Sequence, residues 1–429
     1  MSDFPGQTKI RNEITINEKD PSAQHATGKR WAMLMGLTFF LSVPAMPIGM
    51  GLTTSRVAIV LLFFLALFKI SRNNGRIPFT TLIPISAASV AFLAYTISMI
   101  VNGGSWWFLF SWLPLGLLSS LIAICIADLG RQNTKFFVGT IAFLSILLCV
   151  LIMIVIARNG VLFSSGRLMR HFLNDQMPVG LNRFINSFVI YAGISMGALY
   201  FRIAKGKLWS TVFIVPVLFS IYLSFSGGSR QNFLALIVFL LFFILITVNI
   251  RRASSWFSSY IRRIIIIVFI CIAGVLGAIH LGWLEQDWIA RRFFPLLIEG
   301  EMSSSDQTRL NIASVAIEAS LNRGGLGIGP GQFVESVGNY PHNGYFGFLA
   351  ESGLLFGGPA LIFIFAMVLV SWVKRKQLHH PLNEIAWVVF LTVALFMVNL
   401  NDLFKEPAFW TTLGLAIGLS ARAKLPPYR

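Results

Sequence analysis

Acidic residues are scarce in this chain. Seventeen Asp and Glu face 34 Lys and Arg over 429 residues, and only 12% of positions are charged. A soluble globular domain carries about 25% charged residues, and a disordered chain has few apolar ones, so both classes are excluded. Cysteine is almost missing. Cys125, Cys149 and Cys271 each sit inside an apolar run with no CxxC partner. That excludes a disulfide framework and a zinc site and leaves three small buried hydrophobes. There is no DxD motif and no EF-hand loop, and the 36 Gly and 17 Pro follow no collagen-like period.

What is present is apolar surface: 56% of residues are hydrophobic and the mean hydropathy is +0.74. About 20 apolar residues span a bilayer, and only helices satisfy their own backbone there. Twelve spans are expected, at 31–50, 54–70, 79–101, 107–129, 136–156, 185–201, 208–225, 231–250, 261–281, 353–373, 385–401 and 408–421. The fold class is therefore an all-α polytopic membrane protein. A tail at 1–30 precedes nine spans (31–281). A large hydrophilic loop at 282–343 leads to three more spans (344–421) and a short tail at 422–429. The first apolar run follows a polar tail too long for a cleavable signal peptide.

The net charge of +17 would suggest nucleic acid in a soluble protein. In a membrane protein it has a topological cause, and no nucleic-acid partner is expected. With the N-terminus inside, alternate loops and tails hold 23 of the 34 basic residues, so the positive-inside rule predicts cytoplasmic termini. The other eleven are Arg56, Arg158, Arg167, Arg170, Arg183, Arg230, Arg291, Arg292, Arg309, Arg323 and Lys405. Ten are Arg. Topology needs only charge, whereas bidentate binding of phosphate or carboxylate needs the planar guanidinium fork. The bland alternative is that Arg is favoured at interfaces and pairs with local acids.

Two outer segments are long, 157–184 and 282–343. In the second, WIARRFFPLLI (288–298) suggests a helix on the membrane surface. Asp306 is expected to cap a helix through TRLNIASVAIEASLN, and GGLGIGPGQF (324–333) reads as a turn-rich connector. No strand precedes those glycines, so they are not a dinucleotide fingerprint.

His342, in YPHNGYFGFLAESGLLFG (340–357), stands where the long loop enters the tenth span. An imidazole there suits a general base or a hydrogen-bonding anchor. Glu351, nine residues on in an apolar stretch, needs a partner or a function. It is expected to pair structurally with an Arg or to cap, not to orient His342. Arg230 follows the turn SGGS at a helix start, an anion site by dipole, backbone and charge, or a snorkelling Arg. Arg309 falls in the first turn of the loop helix, where Asp306 could pair with it. Arg183 adds to the same basic surface. Asp402, Lys405 and Glu406 look like a local ion-pair group.

SGGSRQNFLAL (226–236), DQTRLNIASVAIEA (306–319), GGLGIGPGQF and PHNGYFGFLAESGLLFG (341–357) occur in that order. With the topology, the chain resembles the bacterial O-antigen ligase and O-antigen polymerase superfamily, by sequence over roughly residues 224–357. The resemblance implies a GT-C-type, metal-independent glycosyltransferase of the inner membrane, with no cofactor and an active site on the periplasmic face. Its donor would be a glycan on undecaprenyl diphosphate. The acceptor would be a sugar hydroxyl of lipid A-core in a ligase, or another lipid-linked glycan in a polymerase. Arg230 and Arg309 match the family's diphosphate-binding arginines, with Arg183 as a further candidate. His342 matches the family's catalytic histidine, supported by Asn343 and Glu351. The stretch NGYFGF after His342 lacks the acidic residues sometimes seen in ligases, so both acceptors stay open. A transporter or flippase of a lipid-linked glycan is the reading from another class.

Overall fold

The computed structural model of the protein describes residues 21–44, 47–49, 52–73, 75–127, 133–159, 181–201, 206–226, 229–247, 304–374, 381–400 and 404–421, with isolated positions besides. Among them the chain is helical except for one short antiparallel hairpin, β1 (Pro47–Gly49) with β2 (Leu52–Thr53). In chain order the helices are α1 (Pro21–Ser42), α2 (Thr54–Arg72), α3 (Ile83–Asn102), α4 (Trp106–Phe110), α5 (Trp112–Ile126), α6 (Thr134–Arg158), α7 (Leu181–Tyr200), α8 (Lys207–Ser226) and α9 (Arg230–Thr247). After 303 follow α10 (Ser304–Gly325), α11 (Gln332–Val337), α12 (Gly344–Ser352), α13 (Gly358–Lys374), α14 (Pro381–Leu391), α15 (Val398–Leu400) and α16 (Pro407–Ser420). A π-helical turn at Gly353–Gly357 joins α12 to α13, and a second at Thr392–Met397 joins α14 to α15.

Six helical runs among the described residues are long and apolar enough to cross a membrane: Thr54–Arg72, Phe79–Asn102, Trp106–Ile126, Thr134–Arg158, Lys207–Ser224 and Gly344–Val373. They fall on five of the expected early spans and on the tenth. The tenth is longer than expected, because the helix starts at Gly344. Four more expected spans are apolar helices of shorter length, Ile185–Tyr200, Arg230–Phe243, Leu382–Met397 and Pro407–Ser420. The first expected span, 31–50, is corrected. Its helix ends at Ser42, and the chain turns into the β1–β2 hairpin. Pro44 and Pro47, then Gly49 and Gly51, give the physical reason, since neither residue type sustains a helix. The ninth span, residues 157–184 apart from their ends, and the 288–298 segment lie outside the described residues.

The core is built around α5 and α16. Every residue of α16 from Ala408 to Leu419 is buried, Phe409 and Trp410 included. A helix apolar on all sides belongs at the centre of a bundle. Gly414 and Gly418, four apart, lie flat on the backbone of α5 at Ser119 and Ala123; a Cβ on Gly418 would come within 2.8 Å of Ala123 Cα. This small-xxx-small spacing is how membrane helices pack their backbones closely. By contrast α2 exposes Val60, Phe63, Phe64, Leu67 and Phe68. Such a continuous apolar face is unsuited to water and suited to lipid.

The two ends of the bundle differ. At one, Lys69 donates to the Cys125 carbonyl at 3.1 Å and Trp31 to the same oxygen at 3.2 Å, while Lys29 and Lys135 lie 4.8 and 4.9 Å from the Phe136 ring centroid. At the other gather the C-terminus of α3, the N-terminus of α9, the 304–343 segment, Asn399 and residues 404–407.

Candidate functional site

The site is assembled on α12, and its first residues are held from several sides. His342 precedes the helix with φ 50°, a left-handed conformation that costs a β-carbon residue about 1–2 kcal/mol. Such strain persists where the surroundings fix it, and functional positions are enriched in it. Asn343 caps α12: its Oδ1 accepts from the N–H groups of Tyr345 and Phe346, both at 3.0 Å. Its Nδ2 donates to the Asn399 carbonyl and to Asn399 Oδ1, each at 3.3 Å. Gly344 lies against Phe404, where a Cβ would come within 2.6 Å of the Phe404 Cβ. Tyr345 donates to the Ala394 carbonyl, inside the second π-helical turn. His342, half-buried, is thus seated by groups it does not itself supply.

Glu351 ends the same helix at 2% exposure. Its partner is Lys405, Nζ to Oε2 at 2.5 Å, and the Tyr95 hydroxyl donates to the same oxygen at 2.9 Å. The expected Arg partner is corrected to a Lys, and Lys405 belongs to this long-range pair. The ammonium also lies 4.2 Å from the Phe108 ring centroid and 5.4 Å from that of Tyr95. The interior of the membrane-type bundle explains the choice. A lone carboxylate there is costly, and a compact ammonium reaches it beside the Tyr95 and Phe108 rings.

The loop helix α10 begins at Ser304, so Asp306 lies in its first turn and does not cap it. Ile312 and Ala316 on its inner face pack with Phe333 and Ala350. After Leu321 the helix breaks. Asn322 is extended, and Arg323 and Gly324 are left-handed. The connector expected at 324–333 is then strapped down. Ile328 N–H donates to the Ala350 carbonyl (3.0 Å) and Gly329 N–H to that of Glu351 (3.1 Å); the Ser98 hydroxyl donates to the carbonyls of Leu326 (2.8 Å) and Glu351 (2.6 Å). Gly327 has φ 74°, and a Cβ there would meet the Ala350 carbonyl oxygen at 2.8 Å, so no other residue fits.

The arginines of this end now separate by role. Arg323 donates to the Val101 carbonyl at 3.1 Å and to Asn102 Oδ1 at 2.8 Å, closing the C-terminus of α3. Arg56 lies 5.6 Å from the Trp107 ring centroid. Arg230, the first residue of α9, grips Asp306 by both nitrogens at 3.0 and 3.1 Å. Asp306 therefore pairs across to α9 and not with Arg309. Arg309 is half-buried and makes no hydrogen bond or ion pair with a described residue. Arg183 lies in the first turn of α7. Arg167, Arg170, Arg291, Arg292 and Asp402 lie outside the described residues. The structure thus ties Arg230 to the loop helix bearing Arg309, and packs that helix on the one His342 introduces.

Sequence reasoning missed a polar layer beside Arg230. Asn186 of α7, Ser220 of α8 and Asn232 of α9 are each at most 1% exposed. Both amide atoms of Asn186, the Ser220 hydroxyl and Asn232 Oδ1 have no hydrogen-bond partner. Ring contacts fix their level: Phe188 lies 5.2 Å from Phe219, and a Cβ on Gly193 would touch Phe239 at 3.0 Å, which sets the three residues near one height. The NRFINSF and RQNF segments held the signal, a buried amide two or three residues after an Arg. Among the described residues no three His, Cys, Asp or Glu side chains come together as a metal site. Comparison of the chain with family models, curated proteins and solved structures returns no match.

Proposed function

We propose that this chain is a metal-independent glycosyltransferase of the bacterial inner membrane, moving a glycan from undecaprenyl diphosphate to a sugar hydroxyl of lipid A-core, as an O-antigen ligase does. The observation that carries the proposal is the linkage at one end of the bundle. The strained His342 opens a helix on which the loop helix of Arg309 packs, and that loop helix is clamped in turn to Arg230. In this mechanism the His342 imidazole takes the proton of the acceptor hydroxyl as its oxygen attacks the anomeric carbon. The bond from that carbon to the diphosphate oxygen breaks, and the arginines stabilise the negative charge that grows on the leaving group. Attack opposite the leaving group inverts the anomeric centre. The donor already stores the bond energy, so no nucleotide enters. The proposed topology has twelve spans, cytoplasmic termini and the site facing the periplasm. It follows from the charge partition, with Lys29, Lys69 and Lys135 at the end opposite the site.

Reconstitution tests this. Purified protein with a lipid-linked donor should glycosylate added lipid A-core and should lose that transfer in His342→Ala. Transfer onto a second lipid-linked glycan alone would make the chain a polymerase. Movement of the donor across the bilayer without any transfer would make it a flippase. Arg230→Lys should lose most of the activity although the charge is kept, because the two-point geometry goes with the fork. Near-normal transfer by that variant would show that charge suffices.

A further inference from the structure

Asp306 occupies Arg230 from both sides of the guanidinium fork, Nη2 to Oδ1 at 3.1 Å and Nη1 to Oδ2 at 3.0 Å. That is the geometry a guanidinium offers to phosphoryl oxygens. The two residues stand 76 apart in sequence and join the first residue of α9 to the first turn of α10. The pair is reachable, with side-chain exposures of 20% and 31%. Arg309 follows Asp306 by three residues, which places it on the same face of the helix. It is the arginine of this group with no partner among the described residues. One guanidinium therefore grips the carboxylate where two helices begin, a second arginine stands one turn further along α10, and the three side chains sum to a net charge of +1.

The geometry points to Asp306 as an internal competitor for the anion seat of Arg230, and so as the residue that sets how much charge a ligand must bring. This rests on the assignment of Arg230 to a diphosphate. A carboxylate ligand gains nothing by replacing a carboxylate, since the exchange is like for like. A monophosphate ester gains little, because one phosphoryl group fills one fork and leaves Arg309 unmet. A diphosphate ester has oxygens for both forks and enough charge to offset both arginines after Asp306 has turned away. Asp306 thereby excludes weaker anions and favours the diphosphate over the monophosphate it becomes after hydrolysis. Displacement also unties the first turn of α10 from α9, so the loop helix is held by Asp306 in the empty protein and by ligand in the loaded one.

Affinities of farnesyl diphosphate and farnesyl monophosphate for the detergent-solubilised full chain test the assignment. Wild type should prefer the diphosphate. Asp306→Asn should bind the monophosphate roughly ten-fold more tightly than wild type, the size of one charge-assisted hydrogen bond regained, and its preference should shrink. Asp306→Ser serves the same purpose should the Asn variant not fold. Arg230→Ala should lose the diphosphate. If Arg230→Ala loses it but neither Asp306 variant binds the monophosphate more tightly, Asp306 is no competitor and the diphosphate site stands. If no variant binds the diphosphate, or Arg230→Ala binds it as wild type does, the diphosphate site falls and the role of Asp306 with it.

Discussion

In the proposed reaction His342 couples a chemical role to a backbone cost. Its φ of 50° suits glycine or asparagine and is poor for a residue whose β-carbon crowds the following carbonyl. If the conformation is kept for the imidazole, His342→Gly should be more stable than His342→Ala by about 1 kcal/mol, with both inactive. Thermal melts in detergent measure this, and an equal or lower melting temperature for the glycine variant would show that the position is unstrained. The position of His342 was legible because an imidazole at a loop–membrane boundary is uncommon. Its strain was not, because the chain there is held by Asn343 tied to Asn399 and by Gly344 pressed on Phe404, contacts that span more than fifty residues. Arg230 and Arg309 were legible from residue type and loop position. The Arg230–Asp306 clamp was hidden by a closer candidate, since Arg309 lies only one turn from Asp306 and any local reading pairs them.

At the scale of elements, length and apolarity located the helices well between 54 and 158, where spans are long and flanked by polar turns. They served α16 badly. Fourteen residues looked short for a span, yet the helix is central, and the GLAIG spacing that lets it lie on α5 matters more than its length. They also overran α1, where apolar composition continues past the prolines that end the helix. The Glu351–Lys405 pair joins α12 to the turn before α16, and a buried pair broken on one side leaves an uncompensated charge. Lys405→Ala should therefore destabilise the protein by about 3–5 kcal/mol, and the double variant Glu351→Gln with Lys405→Met by clearly less. Denaturation in mixed micelles compares them. A double variant as unstable as Lys405→Ala would mean that packing of the lysine stem, and not charge, is what the pair contributes.

The whole molecule is polarised, and that polarity makes the topology testable without any substrate. Lys29, Lys69 and Lys135 cluster at one end; Arg230, Arg309, Arg323 and His342 gather at the other. Twenty-three basic residues in alternate loops predict that the first end faces the cytoplasm. Cys125 and Cys149 are buried in the bundle and should not react, so a Cys271→Ala background leaves the chain silent to thiol reagents. On it, Ser336→Cys, exposed on α11, should label with a membrane-impermeant maleimide in intact spheroplasts. Arg72→Cys, exposed at the end of α2, should label only after permeabilisation. The reverse pattern would invert the chain and put the His342 end in the cytoplasm. There a periplasmic donor could not reach it, and the arginines would have to serve a cytoplasmic anion instead. Labelling of both sites in intact cells would mean that the two ends share a compartment, which no helical bundle crossing the bilayer allows.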